Sequence, residues 1–174
     1  MGVLKAADFY YGAFLSALLN YAGKKPSLFD EIPKGKDRRI YRLTTQNSPQ
    51  EYIIYTKYVN IQKNKSTDVR HWIFGFSSEE LQKIIDLKQQ GYDIKFAFIC
   101  VQEDLKGCEL AVVDYNRVLK CIGIEKGIKK TSYRINIKAF GKKHGLRMYG
   151  SGLSDKTDGR DTMLKLDRDA LKDL

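Results

Sequence analysis

The sequence predicts a mixed α/β (α+β) protein built on a central mixed β-sheet flanked by helices. Apolar residues recur at helical spacing in some segments. In others they alternate or run continuously over strand-length stretches, and the two kinds of segment interleave along the chain. The 174 residues suit one domain. Residues 1–150 are expected to form it, with 151–174 as a flexible segment and a short C-terminal helix or tail. Hydrophobic residues at 43% and charged residues at 30% give enough core formers to fold with no metal, cofactor or disulfide.

The first element is a helix over about Lys5 to Tyr21, with Phe9, Ala13, Leu15, Leu18, Leu19 and Ala22 as its apolar face. Its apolar run, Phe9 to Ala22, is about 14 residues, short of the ~20 that cross a bilayer, so no membrane is expected. Gly23, Lys24 and Lys25 suit a helix end, and Pro26 blocks continuation. A loop is expected over Ser27 to Asp37, then strands over Arg38 to Thr45 and Glu51 to Ile61, joined as a hairpin through Asn47, Ser48 and Pro49. Gln62 to Asp68 reads as a loop and Arg70 to Phe76 as a third strand, with Trp72, Phe74 and Phe76 on one face. Ser77 or Ser78 caps a helix that carries Leu81, Ile84 and Ile85 and ends at Gly91; Glu79 and Glu80 sit in its first turn, where the dipole favours acids.

Ile94 to Gln102 is almost wholly apolar and reads as a central strand covered on both faces. Cys108 to Val113 is another buried strand, Asp114 caps a short helix, and Gly123 ends it. Ser132 to Phe140 alternates cleanly: Tyr133, Ile135, Ile137 and Ala139 share one face, Arg134, Asn136 and Lys138 the other. Leu146 to Tyr149 returns as a strand, Gly150 to Gly159 is expected to be flexible, and Leu164 to Leu174 is expected to be a terminal helix or a frayed tail.

The charge is uneven. Of a net +10, nine units fall between Arg117 and Arg147, where ten basic residues face a single acid, Glu125. Such asymmetry points to a polyanionic partner, DNA or RNA first. The expected contact residues are Lys129, Lys130, Arg134, Lys138, Lys142, Lys143 and Arg147, because a ribbon with one basic face can lie along a phosphate backbone. Tyr133 and Tyr149 are the aromatics placed to stack on bases. The plain alternative is that lysines on an alternating strand guard an exposed edge.

Cys100, Cys108 and Cys121 are odd in number and lack C-x-x-C spacing. They suit a reducing compartment, and cytoplasmic localisation is expected. His71 and His144 lie far apart, so a structural zinc site has little support.

The order helix, three strands, helix, strand over about residues 5–102 resembles the core of the PD-(D/E)xK, or restriction-endonuclease-like, superfamily, with the basic strands as a C-terminal β extension. The run Glu51-Tyr-Ile-Ile-Tyr-Thr-Lys57 is similar to the stretch that carries the catalytic lysine there. The resemblance implies a nucleic-acid-associated protein of defence or mobile-element type. If it is an enzyme, it implies a Mg²⁺-dependent endonuclease in which two acids hold the metal beside a lysine. The candidates are Lys57, Glu51 and Asp37. The motif is not intact, since the acid position two before Lys57 is Tyr55, and Glu51 is six residues away, roughly 20 Å on an ideal strand. Asp30 and Glu31 are further upstream acids, and Asp68-Val69-Arg70 is a D-x-R whose arginine is a poor base. The plain reading of Lys57 is a solvated strand lysine. Asp114 with Lys138, and Glu109, are weaker acid candidates, and Gly150-Ser151-Gly152 lacks the context of a phosphate loop. The rival function is a protein-interaction module, an inhibitor or accessory subunit docking on an acidic partner, which needs no catalytic residue.

Overall fold

The computed structural model describes residues 2–22, 25–28, 38–45, 48–63, 68–141 and 145–174. Helix α1 (Ala6–Ala22) precedes strands β1 (Lys25–Leu28), β2 (Arg38–Thr45), β3 (Ser48–Asn60) and β4 (Val69–Ser77). Helix α2 (Ser78–Gln89), β5 (Asp93–Val101), β6 (Glu109–Asp114) and helix α3 (Tyr115–Ile122) follow. The chain ends with β7 (Ser132–Phe140), β8 (Leu146–Gly150), β9 (Lys156–Thr157), β10 (Arg160–Asp161), β11 (Leu164–Leu166) and a 3-10 turn, Ala170–Asp173.

The protein is mixed α+β, and its described strands form two large sheets and a two-stranded ribbon, β9 with β10, where the sequence suggests one sheet. The first is mixed and runs β1-β2-β3-β5-β6; the second runs β11-β8-β7-β4. β2 and β3 are antiparallel, as a hairpin requires, and β3 pairs parallel with β5 from Tyr52 opposite Asp93 to Asn60 opposite Val101. β4 leaves that sheet and pairs antiparallel with β7 over its whole length. The three consecutive strands of the α-β-β-β-α-β order therefore do not lie side by side. The reason is side-chain patterning: Trp72, Phe74 and Phe76 fill one face of β4, and Tyr133, Ile135 and Ile137 supply a matching buried face on β7.

The sheets pack face to face over a core in which Phe74 meets Phe98 at 4.8 Å between ring centroids, and the Trp72 indole N–H donates to the Val101 carbonyl at 2.9 Å. Helix α2 contributes Leu81, Ile84 and Leu87 to that core, and α3 contributes Val118, Cys121 and Ile122. The other face of the first sheet is covered by α1. Tyr11, Phe14 and Leu18 form its buried stripe, while Phe9 and Leu19, assigned to the core face from the sequence, are mainly exposed. The helix is apolar nearly all round, so its pattern does not select a face; the sheet does.

Two further expectations are corrected. Gly150–Leu153 is a tight turn, not a flexible lead-in: the Gly150 N–H donates to the Leu153 carbonyl, Ser151 to Arg134 and Gly152 to Cys121. A Cβ on Gly152 would stand 2.2 Å from Gly123 Cα, so the chain passes there only without side chains. Nor is the C-terminal stretch a frayed tail. β11 extends the second sheet through β8, Leu166 enters the inter-sheet core and Leu174 enters the core under α1. Strand β1 also occupies part of the expected Ser27 to Asp37 loop and pairs with β2.

Candidate nucleic-acid interface

Strand β7 obeys the alternation read from its sequence. Tyr133, Ile135, Ile137 and Ala139 are buried, and Arg134, Asn136 and Lys138 point outward. Register then brings residues of four strands into one row on that outer face. His71 of β4 lies opposite Lys138, Lys138 opposite Arg147 of β8, and Arg147 opposite Lys165 of β11. Strands are spaced by about 4.8 Å, so the row is roughly 14 Å long. The next row places Ile73 beside Asn136 and Asn136 beside Tyr149. Arg134 stands exposed roughly 13 Å from Lys138 along β7.

Contacts tie the face together. The Lys138 ammonium sits 4.8 Å from the centre of the Tyr149 ring, and the His71 ring stacks on Tyr149 with centroids 6.3 Å apart. His71 Nε2 and Asn136 Oδ1 are 2.9 Å apart. Burial lowers the pKa of His71, the Asn136 bond opposes that, and the Lys138 charge adds to the lowering. Tyr149 thus keeps its place on the face. Tyr133 does not: it is buried, and its hydroxyl accepts the backbone N–H groups of Lys129 and Lys130 at 2.7 Å each. Both lysines are exposed in the loop before β7. Lys142, Lys143 and His144 lie outside the described residues.

Acids approach the row from one side. Lys138 Nζ is 3.5 Å from Asp155 Oδ2, and Arg147 Nε is 3.7 Å from Asp161 Oδ2. Both acids belong to the β9–β10 hairpin, which turns at Asp158 and Gly159 through two positive φ values, 51° and 75°.

Of the residues proposed for metal chemistry, Lys57 and Glu51 have different partners and do not meet. Lys57 is 3% exposed, not solvated. Its ammonium donates to Glu80 Oε1 at 3.0 Å and Oε2 at 3.3 Å and to the Gly75 carbonyl at 2.5 Å, and it lies 4.7 Å from the Phe76 ring centre. Glu80 also takes Arg38 at 3.0 Å and the Tyr55 hydroxyl. A lysine is buried this deeply only with such partners. Glu51, at the other end of β3, pairs instead with Arg42 at 3.6 Å, and Asp37, with Asp30 and Glu31, lies outside the described residues. Asp114 is exposed, makes no side-chain cap bond and stands 3.8 Å from Lys95 on the first sheet, while Lys138 belongs to the second. Among the described residues no three His, Cys, Asp or Glu side chains are grouped to hold a metal.

Asp68, Arg70 and Glu109 meet elsewhere, in a surface cleft of about 550 Å³ at one end of the sandwich. The Glu109 carboxylate lies between Arg70 at 2.8 Å and Arg168 at 3.0 Å, and Arg70 also donates to the Gly107 carbonyl. Two guanidiniums sharing one carboxylate link β4, β6 and the C-terminal segment, which is a structural tie. Cys100 and Cys121 are buried free thiols whose pKa values burial raises, that of Cys121 to about 11.

Sequence reasoning missed Lys165 as a cation of the row, His71 as the neutral member of that row, and Glu80 as the partner of Lys57. Leu164-Lys165-Leu166 carries the alternation of a strand, a signal too short to separate from a helix end. Ser77-x-x-Glu80 has the spacing of a capping box; Ser77 does accept the Glu80 N–H at 3.1 Å, but the Glu80 side chain turns into the core. No protein-family model matches the chain, and no curated protein or solved structure matches it. Among the described residues no helix is long and apolar enough to cross a membrane.

Proposed function

We propose that this chain is a nucleic-acid-associated protein whose contact surface is the outer face of the β11-β8-β7-β4 sheet. One observation carries the reading: Lys138, Arg147 and Lys165, with His71, stand in register across four strands, and Arg134 shares their face. Cations in a row with an aromatic beside them suit a phosphate backbone with unstacked bases. Lys129 and Lys130 extend the basic field at the start of β7. A defence or mobile-element setting and a restriction-endonuclease-like build rest on the resemblance, which here draws on α1, the β2–β3 pair and the parallel β5. A Mg²⁺-dependent nuclease centred on Lys57 has less behind it, because the carboxylate beside that lysine is already engaged by three donors.

The test is fluorescence anisotropy with a labelled 20-nucleotide single strand, its duplex and the matching RNA, each at low and moderate salt. Bound cations release counterions, so affinity should fall steeply as salt rises. Lys138→Ala and Arg147→Ala should each weaken binding and reduce the slope of log affinity against log salt by about 1. Absence of binding at low salt, or a Lys138→Ala/Arg147→Ala double variant that binds like the parent, would overturn the reading. Retention of a protein partner after nuclease digestion, with no oligonucleotide bound, would favour an interaction module instead.

A further inference from the structure

The cationic face is not bare. The β9–β10 hairpin reaches it with two carboxylates, Asp155 on Lys138 and Asp161 on Arg147. These two cations are direct neighbours in the row, paired across β7 and β8. The acids are therefore set where two negative groups can bridge adjacent strands of the sheet. A carboxylate and a phosphate oxygen offer lysine and arginine the same kind of acceptor.

The hairpin is built to be held loosely. Ser154 to Thr162 contain no aliphatic or aromatic side chain, so none of the segment enters either core. Its internal order comes from the two-residue turn, the β9–β10 pairing, and the closing bonds of Thr162 to Asp155 and Ser154. Its base is firmer: Leu153 before it and Leu164 after it pack against the inter-sheet core. Asp155 and Asp161 are 44% and 50% exposed, so their ion pairs are of the solvent-screened kind. A two-stranded hairpin without an apolar face has little stability of its own. Such a segment can swing away from its anchored base at small cost.

We propose that this hairpin is a displaceable acidic stopper: Asp155 and Asp161 occupy the phosphate positions at Lys138 and Arg147 until nucleic acid takes them. The proposal rests on the nucleic-acid reading of the face. It makes the observed affinity a competition, with the hairpin acting as an internal competitor that disfavours weak, non-specific polyanions.

The test compares Asp155→Asn/Asp161→Asn with the parent on the same labelled 20-nucleotide strand at low salt. A second double variant, Asp86→Asn/Glu103→Gln, removes two exposed acids on other elements and controls for net charge. The hairpin variant should bind about 3- to 20-fold tighter than that control, the range expected from two exposed ion pairs. Amide exchange across residues 154–162 of the parent should quicken when the oligonucleotide is added. No gain over the charge control, or slower exchange on binding, would overturn the stopper while Lys138- and Arg147-dependent binding left the face itself standing. Failure of parent and both variants to bind would overturn both.

Discussion

Replacing Glu80 by Gln tests the assignment of Lys57 to the core. The substitution keeps volume and leaves an oxygen that can still accept from Tyr55. It removes the negative charge from a site where Glu80 and Lys57 side chains are each only 4% exposed. Lys57 would keep the Gly75 carbonyl and the Phe76 ring, and Arg38, about one fifth exposed, would recover some hydration. Breaking a buried pair costs about 3–5 kcal/mol, and the retained acceptor and the wetter Arg38 argue for the lower end, about 3 kcal/mol. For a chain of this size that lowers Tm by roughly 6–12 °C. Lys57→Met leaves Glu80 with Arg38 and Tyr55 and should cost about 1 kcal/mol. The double variant should then lose at least ~1 kcal/mol less than the sum of the singles. Urea titration followed by the fluorescence of Trp72, the one tryptophan in the sequence, reads all three. A loss below ~1 kcal/mol for Glu80→Gln, or strict additivity, would refute a buried ion pair at this position.

Three further predictions concern two glycines and a histidine. Gly152→Ala should destabilise by about 3 kcal/mol or more in the same titration, because its Cβ would meet backbone with no side chain free to yield. Gly12→Ala in α1, where nothing stands within 4 Å, should instead stabilise by up to about 1 kcal/mol. His71 has a lowered pKa in the folded protein, so below its ordinary value near 6.5 the unfolded chain takes up the proton first. Stability attributable to His71 is then present above pH 6.5 and lost as pH falls through that value towards the folded pKa. Between pH 7 and 5.5 the parent should lose more Tm than His71→Gln, and equal losses would show that the imidazole does not titrate as inferred.

Local patterning made most elements legible. Arg38–Thr45 and Ser132–Phe140 coincide with β2 and β7, and Ser77, Gly91 and Gly123 mark helix ends as their chemistry requires. The outward face of β7 followed from parity alone. What could not be read was which strand each one pairs with. Trp72, Phe74 and Phe76 declare a buried face without saying against which sheet it is buried. The row formed by His71, Lys138, Arg147 and Lys165 depends on pairing between residues up to 67 positions apart. Lys57 was misread for a related reason. Lysine is ordinarily a surface residue, and only the tertiary approach of the α2 N-terminus supplies the acid that lets it stay inside.

The path of the chain has a consequence for how this molecule can be taken apart. β1 to β3 lie in one sheet, β4 crosses to the other, β5 and β6 return, and β7, β8 and β11 cross back. Neither layer is a continuous length of polypeptide, so no single cut divides the protein into two halves that each own a finished sheet. Fragments from either side of α2 would each carry exposed, unmated strands, and they would regain native order only by meeting one another. The layers must therefore assemble and come apart together.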